Sequence, residues 1–329
     1  MRFIPRSLRF LMLIVLAIGI ITACTSAPSK VSPTQSEDCY RVTHAMGETC
    51  VPSQPKRVVI LDSTTLEYAI ALGVKPIGAP LSDEFSLQLK QDLTGIENIG
   101  SAGEPSLEKI LALQPDLIIG GDYYQTIYSQ SSQIAPTILF KFEHSGQWKN
   151  VFMQVAQMLR KTEIAKQVMS DYDKRLDQFK QKMGERLKQT EVSVVRIYPD
   201  SINLYLKESF CGTILQDAGL LRPEAQNISA AEAKKRFNNE IQVSISRELL
   251  HQADGDVMFI WTGENTPEAN QQAQKKLVEL KSDPLWQKLN VVQQNKVHQV
   301  PTYWIGSGTI AANLVIDDLF KYLIKSSES

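Results

Sequence analysis

The chain has 329 residues, of which 43% are hydrophobic and 22% are charged, so it is long enough to bury one large core or two of medium size. Its 35 basic and 36 acidic residues give a net charge of −1, a balance that gives no support to a nucleic-acid-binding function. Neither a basic arm nor an acidic tail is present, and we therefore expect no nucleic-acid partner.

The start of the chain has the features of a secretory signal peptide. Three arginines within the first nine residues precede an apolar run, residues 10–23, which is short for a membrane span and ends at Cys24. The four residues that end at Cys24 also resemble the lipobox of bacterial lipoproteins, in which the cysteine is lipidated and becomes the new N-terminus. The alternative is an ordinary signal peptide with a chance cysteine. The lipobox predicts a lipoprotein signal peptide at residues 1–23 and a mature protein anchored through Cys24 to the membrane, outside the cytoplasm.

Residues 24–38 predict a flexible tether, because they are rich in Ser, Pro, Thr and Gln and have no apolar periodicity. Beyond the tether, Cys39 and Cys50 flank a predicted hairpin that Gly47 would turn. In an oxidising compartment the two thiols could form a disulfide that stabilises the fold by up to about 3 kcal/mol. The alternative is two reduced thiols on neighbouring strands, since the strand register cannot be read from sequence. Cys211 is then left unpaired.

Residues 39–160 predict an N-terminal α/β lobe. Short apolar runs, typical of strands buried on both faces, occur at residues 57–61, 74–79, 116–119 and 137–140. Tyr123 and Tyr124 follow the third of these runs. Because ligands bind beyond the carboxyl ends of the strands in an open parallel sheet, both tyrosines are candidate ligand contacts. The alternative is that they cover the edge of the lobe.

Residues 161–189 predict one long amphipathic helix, because apolar residues recur every three or four positions among mostly charged or amide residues. The apolar stripe consists of Ile164, Val168, Tyr172, Leu176, Phe179, Met183 and Leu187. The stripe is narrow and the helix would span about 40 Å, so we expect a rigid strut between two lobes and not a core helix.

The sequences on either side of this helix repeat the same order of features. Before it, Ser106 and Glu108 open a helical run that leads to the apolar run at residues 116–119. After it, Ser246 and Glu248 open a helical run that leads to an apolar run at the same interval. The repeat indicates two similar α/β lobes and makes residues 190–329 the C-terminal lobe.

One arginine stands inside a predicted strand of the C-terminal lobe. Arg196 lies within an apolar run at residues 192–198. An unpaired guanidinium is costly to bury, so Arg196 either pairs with an internal carboxylate or points into a cleft to bind an anion. The spacing alone slightly favours the internal pair.

No catalytic or metal site is predicted. The histidines are scattered without metal-ligand spacing, and Gly306-Ser307-Gly308 matches neither the nucleophile elbow nor the Walker phosphate loop. The chain offers aromatic and a few cationic residues on loops that would face each other across two lobes, which is typical of a binding cleft. We therefore expect a binding protein without a cofactor, and not an enzyme.

Several motifs together resemble one family of transport proteins. They are PKRVVIL (55–61), LGVKPIG (72–78), PSLEKI (105–110) and PDLII (115–119) in the first lobe, and SFCG (209–212), DPLW (283–286) and Tyr303-Trp304 in the second. In this order, over nearly the whole chain after the tether, they resemble the iron-siderophore solute-binding lipoproteins of ABC transporters. The resemblance implies the class III periplasmic-binding-protein fold, with two Rossmann-like α/β lobes joined by one long helix and a cleft that closes little on binding.

The resemblance also implies that the protein captures a ferric siderophore in the cleft and delivers it to an ABC permease for iron uptake. A siderophore fills the coordination sphere of iron with its own oxygens, so the protein needs no metal ligands. Many such complexes are bulky anions, which an arginine and flat aromatic walls can hold. Arg196 is then the leading anion contact. The candidate walls are Tyr123, Tyr124, Trp261, Tyr303 and Trp304.

In this family one glutamate on top of each lobe docks on arginines of the permease, and Glu108 and Glu248 match those positions. The alternative is that each only complements the positive end of its helix, worth under about 1 kcal/mol. Several hydroxamate binders carry an arginine where this chain has Ala102, which leaves the siderophore subclass open. We expect a monomer, lipid-anchored on the periplasmic or extracellular side of the membrane.

Two other functions fit parts of the same pattern. The same fold could bind haem or cobalamin, and binding of those ligands would distinguish this case. A lipoprotein enzyme such as an esterase is the other alternative, against which the missing nucleophile motif argues.

Overall fold

The computed structural model of the protein describes residues 39–81, 93–101, 103–264 and 266–324. The predicted signal peptide, the tether, the lipidation site Cys24 and Ala102 lie outside these ranges. Within the described ranges, no helix is both long enough and apolar enough to cross a membrane.

Two α/β lobes follow each other along the chain, as predicted. The strands of the N-terminal lobe are β1 (Cys39–His44), β2 (Gly47–Pro52), β3 (Val58–Ile60), β4 (Gly78–Ala79), β5 (Glu97–Asn98), β6 (Gly100–Ser101), β7 (Glu104–Pro105), β8 (Leu117–Gly121) and β9 (Thr137–Phe140). Its α-helices are α1 (Ser63–Ala71), α2 (Leu107–Ala112), α3 (Tyr128–Ile134) and α4 (Trp148–Met158), and 3₁₀ turns occupy Asp122–Ile127 and Ser145–Gln147.

The main sheet of this lobe is parallel and has the strand order β5-β4-β3-β8-β9. The chain begins at the central strand, moves to one edge and then crosses to the other, which is the doubly wound arrangement of Rossmann-like folds. All residues of β3 are buried, as expected for a strand covered on both faces. The strand predicted over residues 74–79 is reduced to Gly78–Ala79, because Pro76 cannot donate a ladder hydrogen bond.

The hairpin at the start of the lobe forms where it is predicted. β1 and β2 pair with each other, and Gly47 has a φ of 121°, a conformation that favours glycine. Cys39 and Cys50 are both disulfide-bonded. Cys211 is a free, fully buried thiol in the other lobe.

The connecting helix is shorter than the sequence predicts. This helix, α5, spans Thr162–Met183, and a 3₁₀ turn follows at Gly184–Lys188. Gly184 has φ 56° and ψ −136°, a conformation that ends the α-helix and that L-residues rarely adopt. At 1.5 Å per residue, the 22 residues of α5 span about 33 Å.

The expectation that α5 is a strut outside the cores was wrong. Its buried residues, each at most 4% exposed, are Ala165, Tyr172, Leu176, Phe179 and Met183, whereas Ile164 is 40% exposed. Ala165 packs in the core of the N-terminal lobe, and the other four pack in the core of the C-terminal lobe. A narrow stripe on a long helix can therefore join two cores.

The C-terminal lobe follows α5. Its strands are β10 (Val192–Ile197), β11 (Ile202–Tyr205), β12 (Gln242–Ile245), β13 (Val257–Thr262) and β14 (Val297–Gln299). Its helices are α6 (Phe210–Asp217), α7 (Ala230–Phe237), α8 (Pro267–Lys281), α9 (Asn290–Gln293) and α10 (Thr309–Leu319), with 3₁₀ turns at Glu224–Gln226, Arg247–Ala253, Trp286–Lys288 and Thr302–Ile305 and a π-helical end at Phe320–Ile324.

The second sheet has the order β12-β11-β10-β13-β14 and differs from the first in one strand direction. β10, β13 and β14 are parallel, whereas β11 runs antiparallel to both of its neighbours. The helical run predicted after Ser246 is a 3₁₀ turn and not an α-helix. The fold class predicted from sequence, two α/β lobes joined by one long helix, is confirmed.

The lobes also meet directly, through α1 and α10. The carboxylate of Glu67 accepts a hydrogen bond from the backbone N–H of Ala311 at 3.0 Å, and the hydroxyl of Tyr68 donates to the carbonyl of Ser307. Gly308 leaves room for this contact, because a Cβ there would lie 2.1 Å from Oε2 of Glu67. A carboxylate of one lobe thus occupies the N-terminus of a helix of the other, where negative charge is favoured.

Candidate ligand-binding cleft

Polar and aromatic side chains follow the central strands of both sheets, at the point where each strand ends. In the N-terminal lobe, Asp62 follows β3 and Tyr123 follows β8. In the C-terminal lobe, Arg196 lies near the end of β10 and Glu264 follows β13. Because ligands of open α/β sheets bind beyond the carboxyl ends of the strands, these residues define the candidate cleft.

Tyr123 gives the N-terminal lobe an exposed aromatic surface. The side chain is 49% exposed, and its ring centroid lies 4.9 Å from that of Tyr124 and 6.0 Å from that of Phe142. Gly121 allows the Tyr123 ring to take this position, because a Cβ on residue 121 would lie 2.2 Å from the ring. The ring therefore lies against the backbone at the end of β8.

Asp62 interacts with the hydroxyl of Tyr123. The Asp62 carboxylate is buried and caps α1 by accepting a hydrogen bond from the backbone N–H of Thr65 at 2.8 Å. Burial raises the pKa of Asp62, although its hydrogen bonds oppose the shift. Burial and the negative charge of Asp62 raise the pKa of Tyr123, so its phenol stays protonated and able to donate.

Arg196 is the positively charged residue that the C-terminal lobe contributes to the candidate cleft. Its Nη1 donates to the hydroxyl of Tyr205 at 3.2 Å, and its Nη2 donates to the carbonyl of Gly263. The guanidinium carbon lies 4.1 Å from the ring centroid of Tyr198, within cation–π distance. Glu264 forms an ion pair with Nη2 at 3.5 Å. The internal carboxylate that the strand pattern favours as a partner for Arg196 is therefore Glu264.

Three partners of Arg196 were not found by sequence reasoning. Tyr198 stands two residues after Arg196, directly after β10, so the alternation of side chains along the extended chain could have identified it. Arg196 pairs with Asn203 across β10 and β11, which places Tyr205 on the same face. The proximity of Tyr205 and Glu264 to Arg196 depends on how β10 pairs with its neighbouring strands, and no single segment of the sequence specifies that pairing.

Trp261 and Trp304 do not form walls of the cleft, contrary to the sequence-based expectation. Both are fully buried in the core of the C-terminal lobe, with ring centroids 6.4 Å apart. Trp304 Nε1 donates to the carboxylate of Asp318 at 2.9 Å. Trp261 lies on a central strand covered on both faces, so its ring supports Tyr205, 4.9 Å away, from within the core.

Tyr124 and Tyr303 are placed differently from each other. Tyr124 is buried, and its hydroxyl accepts a hydrogen bond from the backbone N–H of Gly103 at 3.0 Å, so it fixes a loop and offers a ligand little surface. Tyr303 is half-buried and donates to Asp318 at 2.7 Å. Tyr303 therefore keeps a partly exposed ring in a fixed orientation.

Glu108 and Glu248 are both exposed, each two residues after a serine. Ser106 caps α2 by accepting a hydrogen bond from the backbone N–H of Lys109 at 3.3 Å. A hydrogen bond from Ser246 lowers the pKa of Glu248, which keeps this carboxylate ionised. Glu108 thus lies exposed in the first turn of α2, and Glu248 lies exposed at the start of the 3₁₀ turn that follows Ser246.

Two open cavities lie in the C-terminal lobe. One, of about 560 Å³, is lined by Asp256 and Lys296, which precede β13 and β14, so it lies at the amino ends of these strands, away from Arg196. The other, of about 900 Å³, is lined by Glu191 and Asp254 and also by Ser244 of β12. In the described part of the chain, no group of three or more His, Cys, Asp or Glu side chains is placed to hold a metal ion.

Comparison with known proteins gives consistent matches. The sequence profile of the periplasmic binding protein family matches residues 58–303. The probable siderophore-binding lipoprotein YfiY of Bacillus subtilis (strain 168) is 35% identical over 98% of this chain and 99% of its own. The achromobactin-binding periplasmic protein of Dickeya dadantii (strain 3937) is 29% identical over 80% of this chain and 85% of its own. The crystal structure of Staphylococcus aureus SirA complexed with staphyloferrin B has a TM-score of 0.73 and 27% identity, covering 86% of this chain and 98% of that one.

Proposed function

Because the chain belongs to the periplasmic binding protein family, with its class III fold, we propose that it binds a ferric siderophore between its lobes and delivers it to an ABC permease for iron uptake. The family and the named relatives are binding proteins. Two of the relatives are named for a siderophore and for achromobactin, and the structure of SirA was determined in complex with staphyloferrin B. One observation carries the proposal at the level of the site: the Arg196 guanidinium stacks over Tyr198 at the carboxyl end of β10.

The side chains at the carboxyl ends of the strands are suited to binding a ferric siderophore. The siderophore supplies the oxygen ligands of the iron, so the protein has to recognise only the outside of the complex. A guanidinium binds anionic oxygens through charge-assisted hydrogen bonds, which are about twice as strong as neutral ones. In this account Arg196 binds the anion, and Tyr123 covers the complex from the N-terminal lobe. Tyr303 adds a further aromatic contact.

Glu108 and Glu248 form the proposed docking points for the permease. The support for this role is that both side chains are acidic and exposed and stand at equivalent positions after Ser106 and Ser246. Two carboxylates on two lobes can contact a positively charged partner only if the lobes keep their spacing. The direct packing of α5 on both cores favours such a fixed spacing.

We also propose that the protein is held at the outer face of the membrane by a lipid on Cys24. The support is the lipobox in the sequence and the lipoprotein name of the relative from Bacillus subtilis.

Fluorescence titration of the full chain in detergent tests the siderophore. We expect ferric siderophores to quench tryptophan fluorescence saturably, and Arg196→Ala to raise the Kd by about tenfold or more, since hydrogen bonds to charged groups contribute about 1.5 to 3 kcal/mol. Arg41→Ala is the matched control, because Arg41 forms an exposed ion pair with Glu48 in the hairpin. This control should bind like the wild type.

Other outcomes of the titration decide between functions. Binding of haem or cobalamin alone would keep the fold and contradict the siderophore. Absence of binding to every complex, together with hydrolysis of ester substrates, would contradict a transport function altogether.

A further inference from the structure

The ion pair between Arg196 and Glu264 is incomplete. The two side chains are only 13% and 16% exposed, and their closest atoms, Nη2 and Oε1, are 3.5 Å apart. Charge-assisted hydrogen bonds are normally about 2.7 to 2.9 Å long, so this pair lacks one. Oε1 of Glu264 is buried without a hydrogen-bond donor, and Nε of Arg196 is buried without an acceptor.

Glu264 is not what holds Arg196 in position. The guanidinium already donates to Tyr205 and to the carbonyl of Gly263 and stacks on Tyr198. The end of β13 is fixed by packing, because a Cβ on Gly263 would lie 2.2 Å from the side chain of Thr302. Removal of the Glu264 charge would therefore leave the cation where it is.

The pair is also a poor stabiliser of the fold. Taking two charges out of water is offset only when their geometry is good and the remaining polar atoms are hydrogen-bonded. Neither condition holds for Glu264. The unpartnered atoms are instead complementary to a ligand, because Nε of Arg196 can donate to an anionic oxygen and Oε1 of Glu264 can accept from an ammonium, hydroxyl or amide group.

We propose that Glu264 determines the specificity of the cleft by accepting a hydrogen bond from a donor group of the same ligand whose anionic oxygen binds Arg196. The proposal rests on the proposed function and narrows its ligand class. The ligand selected is a ferric complex that carries an anionic oxygen and a hydrogen-bond donor side by side on its surface. Complexes that are only anionic there are disfavoured, because the Glu264 carboxylate repels them.

The variant Glu264→Gln separates charge from shape, because glutamine keeps an acceptor oxygen and nearly the same volume. Two probes are titrated into the full chain in detergent: a ferric tris-catecholate, which is anionic, and a ferric trihydroxamate that carries a free ammonium group. We expect the variant to bind the tris-catecholate about tenfold more tightly and the ammonium-bearing complex about tenfold more weakly, a change of about 1.4 kcal/mol in each case.

Two further variants serve as controls. Glu264→Asp keeps the charge and should keep the wild-type order of the two Kd values. Glu163→Gln removes an exposed carboxylate of α5, which has no proposed role in binding, and should change neither Kd. Thermal unfolding of each variant checks that the fold is retained.

The Kd measurements test the role of Glu264 and the proposed function separately. Shifts of both Kd values in the same direction, or no shift in either, would overturn the role of Glu264 while leaving siderophore binding in place. If the wild type binds only one probe, the direction in which Glu264→Gln changes the Kd for that probe supports or overturns the role of Glu264. A wild-type chain that binds no ferric siderophore overturns the proposed function and, with it, this inference.

Discussion

Glu67 is buried between α1 and α10, and its surroundings determine its charge. Burial raises the pKa of Glu67 to about 7, against the hydrogen bonds from the backbone N–H groups of Ala311 and Ile310, which favour the ionised form. Asp62 is also buried near the start of α1, and burial raises its pKa as well. Burial and the charges of both carboxylates raise the pKa of Tyr68. Ionisation of Glu67 near neutral pH therefore costs the folded state free energy.

Glu67→Gln should remove this cost. A carboxyl group whose pKa is raised on folding contributes stability below its unfolded pKa, near 4.5, and loses that contribution as the pH rises through about 7. Near pH 4 the variant and the wild type should have the same free energy of unfolding. Above pH 7 the free energy of unfolding of the variant should be higher by up to about 3 kcal/mol. Denaturant unfolding as a function of pH measures the difference.

The exposed Glu163 supplies the control for this experiment, because its side chain is largely in water and Glu163→Gln should leave the pH profile unchanged. A variant Glu67→Gln that is less stable than the wild type at high pH would contradict the account. That result would mean that the helix N-terminus stabilises the carboxylate more than burial destabilises it.

Single residues were predictable from sequence where one segment carries the signal. Arg196 could be identified because a cation inside an apolar strand stands out within that strand. Its partner Glu264 could not, because their contact depends on how β10 and β13 pair. Trp261 and Trp304 were misplaced because sequence cannot distinguish an aromatic side chain in the core from one on a cleft wall.

At the scale of elements, the end of α5 depends on one glycine. The apolar stripe continues to Leu187 in the sequence, but the α-helix ends at Met183 because of the backbone conformation of Gly184. A single glycine inside a periodic pattern is a weak stop signal from sequence alone. The periodicity predicted the helix and its buried face well, and its last turn poorly.

Gly184→Ala should destabilise the protein through the backbone only, because a Cβ at this position would meet no atom within 4 Å. The conformation φ 56°, ψ −136° is strained for an L-residue, and we expect a loss of about 1 to 3 kcal/mol in the free energy of unfolding. Gln181→Ala, at an exposed position in the same helix, should change stability by less than about 0.5 kcal/mol. Equal effects of both variants in denaturant unfolding would contradict this explanation of the helix end.

At the scale of the whole molecule, the internal repeat predicted two lobes but not their contacts. Sequence features in the same order on both sides of α5 were enough to place the lobes. The packing between them could not be predicted, because it joins residues far apart in the sequence, such as Lys149 of α4 and Asp217 of α6, which form an ion pair. The hydroxyl of Tyr172 on α5 donates to the same carboxylate at 2.6 Å. These contacts tie α4, α5 and α6 together.

Docking by the two lobes should depend on charge and not on ligand affinity. We expect Glu108→Arg combined with Glu248→Arg to lower iron uptake about tenfold or more in cells that contain the permease, because like charges at an interface cost several kcal/mol. The Kd for the siderophore should stay unchanged. Glu185→Arg, at an exposed glutamate beyond α5, is the control. Normal uptake with the double variant would contradict the docking role.

We propose that the ferric siderophore lies at the carboxyl ends of the strands, between the two lobes. Anomalous scattering at the iron edge, from crystals of the protein grown with a ferric siderophore, locates the metal directly. We expect one iron peak between the Arg196 guanidinium and the Tyr123 ring, with no protein side chain in the coordination sphere. An iron atom at the amino ends of β10 and β13, or one bound by protein side chains, would contradict it.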